Sequence, residues 1–360
     1  MTLKQKIGQL CMFGFDGPVP PASLRGFLQE WGLGGVILMG ANLKSPRQIW
    51  ELTRALQALA VEPPLLIGVD QEGGRVSRLK PPFTQFPPAA RLGELGSEEL
   101  ARMVAGVIGR ELRAVGINVD FAPVLDVHTN PDNPVIGDRA FAADPEIVAG
   151  IGVAFSQGLE AEGVAATGKH FPGHGDTATD SHLDLPVVHH FLDRLERVEL
   201  YPFRRAIEAG LSILMTAHVL CPALDPGVPA TLSPRILSGL LRDTMDFAGI
   251  IVSDDLGMEA IAGRWPAGDA ACRFLEAGGD LILMARDTGA QQAILDALLN
   301  AVQSNRLSEA RLAASLDRVL ALKKKLAAFG RPAAGEEALS LVGRTEHLEL
   351  ARSVQRHVAG

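Results

Sequence analysis

The chain has 360 residues, of which 47% are hydrophobic and 21% charged, and its formal net charge is −8. This composition can supply a large core and excludes a disordered chain, while the negative charge argues against a nucleic-acid partner. The length suits either two average domains or one large α/β barrel.

Nothing in the sequence predicts export or membrane insertion. The N-terminus lacks the pattern of a signal peptide, and no apolar run approaches the roughly eighteen residues that a membrane span needs. Three widely separated cysteines, Cys11, Cys221 and Cys272, are predicted to be buried thiols rather than a disulfide framework. We therefore expect a cytoplasmic protein without a membrane partner.

Short apolar runs recur along the chain, and most are followed by a polar or glycine-rich step and a helical stretch. Eight runs are predicted to be strands: 9–15, 35–39, 65–69, 117–124, 163–167, 212–218, 249–255 and 280–284. Predicted helices lie at 46–59, where Ser45 is a plausible N-cap, and at 97–115, 192–209, 233–242, 290–302 and 308–328. Continuously apolar strands that alternate with helices are typical of parallel strands buried on both faces.

This alternation predicts an α/β fold, a (β/α)₈ TIM-type barrel that fills a single domain over residues 1–330. Residues 331–360 are predicted to form a short C-terminal helical tail, with one or two exposed polar helices between 337 and 358. A doubly wound sheet is the structural alternative, but no dinucleotide or phosphate-loop motif supports it. The barrel is favoured because polar residues follow separate strands: Asp70, Asp126, Lys169, His170, His218 and Asp254. A barrel gathers those strand ends at one face, where active sites of this fold lie.

Residues 168–182 form a loop that contains three histidines, two aspartates and a lysine between glycines and a proline. Its side chains could be metal ligands, but their spacing matches no metal-binding pattern, so we expect no metal and no cofactor. Asp180 and His182 are two residues apart, so in an extended segment Asp180 could orient the imidazole and stabilise its cation. A solvated polar turn is the alternative interpretation of the loop.

The adjacent carboxylates of Asp254 and Asp255 end the seventh predicted strand. One acidic residue there could cap the next helix, but only one of two neighbours can do so. Side chains of adjacent strand residues point in opposite directions, so one carboxylate could face the barrel mouth while backbone donors hold the other. The exposed one could then attack the anomeric carbon of a sugar.

Four motifs, in order along the chain, resemble those of bacterial family 3 β-N-acetylglucosaminidases. Residues 169–177 (Lys-His-Phe-Pro-Gly-His-Gly-Asp-Thr) with 180–182 (Asp-Ser-His) resemble the signature loop of that family. Residues 252–258 (Val-Ser-Asp-Asp-Leu-Gly-Met) resemble its nucleophile motif. Residues 68–79 and 118–126 also match, and the resemblance extends over about residues 3–328.

The resemblance implies a retaining exo-glycosidase that needs no cofactor. Asp254 would attack the anomeric carbon, His182 would be the acid and then the base, and Asp180 would pair with His182. The residues that would hold the non-reducing sugar are Asp70, Arg78, Arg139, Lys169 and His170. Longer family members carry the acid/base in a second domain, so a chain that stops at Gly360 implies an acid/base from the barrel.

The implied biology is the removal of N-acetylglucosamine from anhydro-muropeptides during cytoplasmic recycling of the cell wall, by an enzyme that we expect to be a monomer. Three alternatives remain open at this point: a family 3 β-glucosidase, a phosphorylase with phosphate as acceptor, and a sugar-binding barrel without activity. The presence of both Asp254 and an Asp180/His182 pair argues against the last of these.

Overall fold

Eight short strands form one parallel sheet in the computed structural model, which describes residues 1–178, 185–330 and 336–356. The strands are β1 (Cys11–Phe13), β2 (Gly35–Ile37), β3 (Leu66–Val69), β4 (Val119–Asp120), β5 (Ala165–Phe171), β6 (Ile213–Thr216), β7 (Ile250–Val252) and β8 (Ile282–Met284). Each pairs with the next, β8 pairs with β1, and a bridge between Val252 and Leu281 joins β7 to β8. The sheet therefore curls into a nearly closed barrel, and the predicted TIM-type fold is confirmed.

Helices surround the sheet, and every barrel strand residue is buried. They are α1 (Leu3–Gly8), α2 (Ala22–Glu30), α3 (Pro46–Leu59), α4 (Ala89–Leu95), α5 (Glu98–Ala114), α6 (Pro145–Ala161), α7 (Leu192–Arg197), α8 (Tyr201–Glu208), α9 (Arg235–Thr244, wound more widely), α10 (Glu259–Ala262), α11 (Ala267–Ala277), α12 (Thr288–Gln303), α13 (Glu309–Ala327), α14 (Glu336–Leu339) and α15 (Thr345–Arg356). Within the described ranges, no helix is long and apolar enough to cross a membrane.

The helix boundaries follow local capping chemistry. Ser45, Ser97 and Ser308 precede α3, α5 and α13, and each side-chain oxygen accepts a hydrogen bond from a backbone N–H of the first turn. These bonds satisfy donors that the helix cannot pair internally. The predicted cap at Ser45 is therefore confirmed. The three cysteines are buried and free, as predicted.

Two predicted elements differ from the observed ones because of proline. The fourth predicted strand shrinks to β4, since Pro123 has no N–H to donate to a ladder. The single helix predicted over 192–209 is wrong, because the chain forms α7 and α8 instead. Pro202 lies in the first turn of α8, where its missing N–H is tolerated, whereas inside a longer helix its ring would clash with the carbonyl of Val198.

The C-terminal helix α15 packs against α4 and α5, and its His347, Ala351 and Val354 are buried. The prediction of a wholly exposed tail is therefore wrong, although the predicted helices are present. The buried carboxylate of Glu111, on α5, accepts hydrogen bonds from the N–H of Gly343 at 2.9 Å and bonds His347 Nδ1 at 2.8 Å. Glu111 thus links the tail to the barrel wall through two hydrogen bonds.

We expect Glu111→Ala to lower the free energy of unfolding by about 2–4 kcal/mol, because it leaves several buried donors without an acceptor. Those donors include the N–H and hydroxyl of Thr84, at 2.8 and 2.7 Å from the carboxylate. Urea denaturation measures the change. The control is Glu99→Ala on the exposed start of the same helix, which should cost about 0.5 kcal/mol or less. Equal losses in the two variants would show that the buried network does not stabilise the fold.

Candidate active site

A buried cluster of charged residues lies where β3 and β5 end. Lys169 Nζ is 2.8 Å from Asp70 Oδ1 and 2.7 Å from Glu72 Oε1. Arg139 donates from Nε and Nη2 to the two oxygens of Glu72, at 2.9 and 2.8 Å. Arg78 Nη2 lies 3.8 Å from Asp70 Oδ2. The cluster therefore joins four of the five residues predicted to bind a sugar. Glu72 links two of them, Lys169 and Arg139.

The charges in this cluster stabilise one another. Burial alone would raise the pKa of Glu72, but Lys169 and Arg139 outweigh burial and hold that pKa far below its ordinary value. Burial alone would lower the pKa of Lys169, and Asp70 and Glu72 reverse that effect and raise it. Glu72, Lys169 and Arg139 are consequently ionised at neutral pH. The Asp70 and Arg78 side chains are 17% and 37% exposed, so they can meet a ligand that enters from solvent.

Asp126, which follows β4 in the chain, fixes the start of the histidine-rich loop. Its carboxylate accepts hydrogen bonds from the backbone N–H groups of His170, at 3.2 Å, and His174, at 2.7 Å. Its Oδ2 also lies 2.7 Å from His170 Nδ1. Burial tends to raise the pKa of Asp126, but His170 outweighs burial and the pKa falls. Because Nδ1 is held by Asp126, Nε2 is the ring nitrogen of His170 left for a ligand.

The two carboxylates that follow β7 have different surroundings. Asp255 Oδ1 accepts hydrogen bonds from the N–H groups of Gly257, at 3.0 Å, and Ala285, at 3.1 Å. Asp254 is half-buried, and its Oδ1 accepts only the N–H of Asp255, at 2.8 Å, among the bonds found in the described residues. The Asp255 carboxylate thus accepts two backbone hydrogen bonds and the Asp254 carboxylate accepts one, so Asp254 is the less constrained of the pair.

Neighbouring positive groups keep Asp254 ionised. Burial by itself would raise its pKa, but His218, His170, the N–H of Asp255 and Lys169 together lower it. Among these groups, Lys169 is charged at neutral pH because its pKa is raised. Burial, however, lowers the pKa of His218. Burial raises the pKa of Asp255, in contrast, and nearby Asp254 adds to that effect. A half-buried, ionised carboxylate at the mouth of a barrel can act as a nucleophile or as an electrostatic stabiliser.

Four side chains anchor the far part of the histidine-rich loop. Thr129 Oγ1 donates to Asp176 Oδ1 at 2.6 Å, and His190 Nε2 makes a short hydrogen bond to Asp176 Oδ2. Glu199 Oε1 lies 4.0 Å from His190 Nε2 and 3.0 Å from Arg194 Nη2. We call Thr129, Asp176, His190 and Glu199 the loop anchor.

The predicted site residues are only partly described by the structure. Asp180 and His182 lie outside the described residues. The groups that sequence patterns missed are Glu72, Thr129, His190 and Glu199. The alternation Asp70-x-Glu72 is a signal that could have revealed Glu72, because residues two apart in an extended segment share a side. Within the described ranges, no three His, Cys, Asp or Glu side chains are grouped so that they could hold a metal ion.

Comparison with known proteins gives a consistent result. The family model described as "Glycosyl hydrolase family 3 N terminal domain" matches residues 2–322. A beta-hexosaminidase of Nitrosomonas eutropha is 42% identical over 78% of this chain and 82% of its own length. A beta-hexosaminidase of Methylococcus capsulatus is 43% identical over 85% of this chain and 91% of its own.

A solved structure shows the same similarity in three dimensions. The glycoside hydrolase family 3 beta-N-acetylglucosaminidase of Paenibacillus sp. FPU-7 superposes with a TM-score of 0.95 and 46% sequence identity. The match covers 98% of this chain and 68% of that one. The similarity thus includes the barrel and the strand ends that carry the charged cluster.

Proposed function

Because this chain belongs to glycosyl hydrolase family 3 and is a glycoside hydrolase, we propose that it is a retaining exo-β-N-acetylglucosaminidase. Asp254 is the nucleophile in this proposal, and its environment is the observation that carries it. Of two adjacent carboxylates, Asp254 is ionised and has a single backbone donor, while Asp255 is held by two. Attack by Asp254 on the anomeric carbon forms a glycosyl-enzyme and releases the leaving group.

His182 is the proposed acid/base, and Asp180 its partner. The acid protonates the departing glycosidic oxygen in the first step, and the resulting base takes a proton from water in the second. An imidazole suits both steps because its ordinary pKa is about 6.5. The proposal rests on the Asp-Ser-His motif at 180–182, since these residues lie outside the described ranges.

The charged cluster and His170 are proposed to bind the non-reducing sugar. Asp70 and Arg78 are the more exposed members, so they are suited to hydrogen bonds with hydroxyl groups. Lys169 and Arg139 are held by Glu72, and Lys169 is among the groups that keep the pKa of Asp254 low. The ionised Asp254 is a fixed negative charge beside the oxocarbenium-like transition state, which it stabilises without reorganisation during the reaction.

The proposed substrates are anhydro-muropeptides that carry a terminal β-linked N-acetylglucosamine, as met in cytoplasmic recycling of the cell wall. We further propose that residues 1–330 form the catalytic barrel, that 331–360 are a helical extension, and that the enzyme acts as a monomer. The relatives named beta-hexosaminidase support the sugar in this proposal. They do not bear on the attached peptide.

We expect kcat/KM for nitrophenyl β-N-acetylglucosaminide to exceed that for the β-glucoside by about 10²–10⁴. A site that hydrogen-bonds an acetamide leaves buried polar groups unpaired when glucose binds. Initial rates on both nitrophenyl glycosides, with and without inorganic phosphate, give the ratio and the acceptor. A preference for the glucoside would assign the protein as a β-glucosidase. Formation of sugar 1-phosphate in place of free sugar would assign it as a phosphorylase.

A further inference from the structure

We propose that His190 is a positioning residue for catalysis: by binding Asp176 it holds the two ends of the segment that carries His182. The inference rests on the proposed role of His182 as acid/base. His190 lies outside the four motifs that resemble the family. All residues of the loop anchor belong to the described part of the chain.

The Asp176–His190 hydrogen bond brackets residues 177–189. Asp176 precedes this segment and His190 follows it, so the bond brings together its two ends and closes a loop. Asp180 and His182 lie in that interval by sequence alone. The second oxygen of Asp176 accepts the hydroxyl of Thr129, which follows β4, so the closed end is tied to the barrel as well.

Glu199 lies close to the Asp176–His190 hydrogen bond. Its side chain is 2% exposed and its Oε1 lies 4.0 Å from His190 Nε2. A Cβ added at Gly173 would lie only 3.0 Å from Glu199 Cβ, so the glycine lets the first part of the loop pack directly on this residue. The histidine-rich loop is therefore contacted at Gly173 by Glu199 and at Asp176 by His190.

The Asp176–His190 pair is better explained by positioning than by stability. The two side chains are 24% and 25% exposed, and ion pairs that meet water contribute about 0–1 kcal/mol. A general acid, in contrast, must stay within hydrogen-bond reach of the leaving oxygen, and a displacement of about 1 Å can cost 10²-fold in rate. Breaking the bond should consequently damage proton donation more than folding or sugar binding.

The test compares His190→Leu, which removes the donor, with His190→Gln, whose amide N–H can replace it. We expect His190→Leu to lower kcat about 10–100-fold on phenyl β-N-acetylglucosaminide, whose leaving group needs protonation, with KM little changed. On the 2,4-dinitrophenyl glycoside, whose leaving group departs without protonation, the loss in kcat/KM, which reports the first chemical step, should stay below about 3-fold. His190→Gln should stay within about 3-fold of wild type on both substrates.

Matched variants separate this role from damage to the fold. His189→Leu, at the exposed neighbouring histidine, should behave as wild type on both substrates. Asp176→Ala removes the same contact from the other side and should reproduce the leaving-group selectivity of His190→Leu, which covers the case in which His190→Leu does not fold. Equal losses on the two substrates, or no loss on either, would overturn the proposal.

A double-mutant cycle separates this inference from the proposed function. In a His182→Ala background, His190→Leu should cost less than about 3-fold on the phenyl glycoside, because a residue that acts through His182 has nothing left to position. A full additional loss would contradict the inference and leave His182 as acid/base. If His182→Ala itself showed no leaving-group selectivity, both the acid/base assignment and the role of His190 would be wrong.

Discussion

Asp254→Asn should lower turnover of nitrophenyl β-N-acetylglucosaminide by about four orders of magnitude or more, which corresponds to about 5–6 kcal/mol of transition-state stabilisation. The amide has nearly the same shape as the carboxylate and can still accept the N–H of Asp255. It has no negative charge with which to form the glycosyl ester. Steady-state kcat and KM measure the effect, and we expect the loss in kcat with KM little changed.

Asp255→Asn is the matched control for this substitution. An asparagine oxygen can still accept the N–H groups of Gly257 and Ala285, so the loop after β7 should keep its shape. We expect a decrease of about 10-fold or less. A larger loss at Asp255 than at Asp254 would exchange the roles of the two residues.

His182→Ala should lower kcat/KM about 10²–10⁴-fold on phenyl β-N-acetylglucosaminide and by about 10-fold or less on the 2,4-dinitrophenyl glycoside. The difference arises because an acidic phenol leaves without help, whereas phenol itself must be protonated as the bond breaks. Once the activated substrate has formed the glycosyl-enzyme, breakdown lacks a base, so a small anion such as azide should accelerate turnover and give the β-glycosyl azide.

Asp180→Ala should show the same pattern with smaller losses, because it removes the partner of the imidazole and leaves the imidazole itself. His189→Ala serves as the control for loss of an exposed histidine nearby. If His182→Ala were equally damaging for both leaving groups, and azide had no effect, His182 would be a binding residue and the acid/base would have to be sought elsewhere.

The barrel could be predicted from sequence because its strands have a strong local signature. Each is continuously apolar, since both of its faces are buried, and polar residues begin where the strand leaves the sheet. That rule correctly places Asp70, Lys169 and Asp254 at the same face of the barrel. The predicted cap at Ser45 located the start of α3 for an equally local reason.

The contacts within the site could not be predicted in the same way, because they join residues far apart in the chain. Glu72 lies in a short hairpin formed by Gln71–Gly73 and Val76–Ser77, and it pairs with Arg139 and Lys169 from distant parts of the chain. No periodicity encodes these loop conformations. The same holds for His190, which lies beyond the recognisable motif and meets Asp176 through the path of the chain around it.

Pro202 illustrates the opposite case, because it is a local signal for a helix break that the apolar spacing outweighed in the prediction. The apolar spacing over 192–209 favours one long helix, but a proline within it removes a backbone donor and blocks the preceding turn. The resulting break separates α7 from α8. It also places Glu199 between the two helices, where its Oε1 lies 4.0 Å from His190 Nε2.

The central claim is that Asp254 forms a covalent bond with the sugar. The most direct measurement uses a 5-fluoro derivative of N-acetylglucosamine with an activated leaving group, which forms the glycosyl-enzyme faster than it breaks down. Mass spectrometry of the intact protein and of its peptic peptides should find one added fluorosugar, on the peptide that contains Asp254. The first-formed product of the natural reaction should be the β-anomer by NMR. A label on another residue, or an unlabelled enzyme that releases the α-anomer first, would contradict the account.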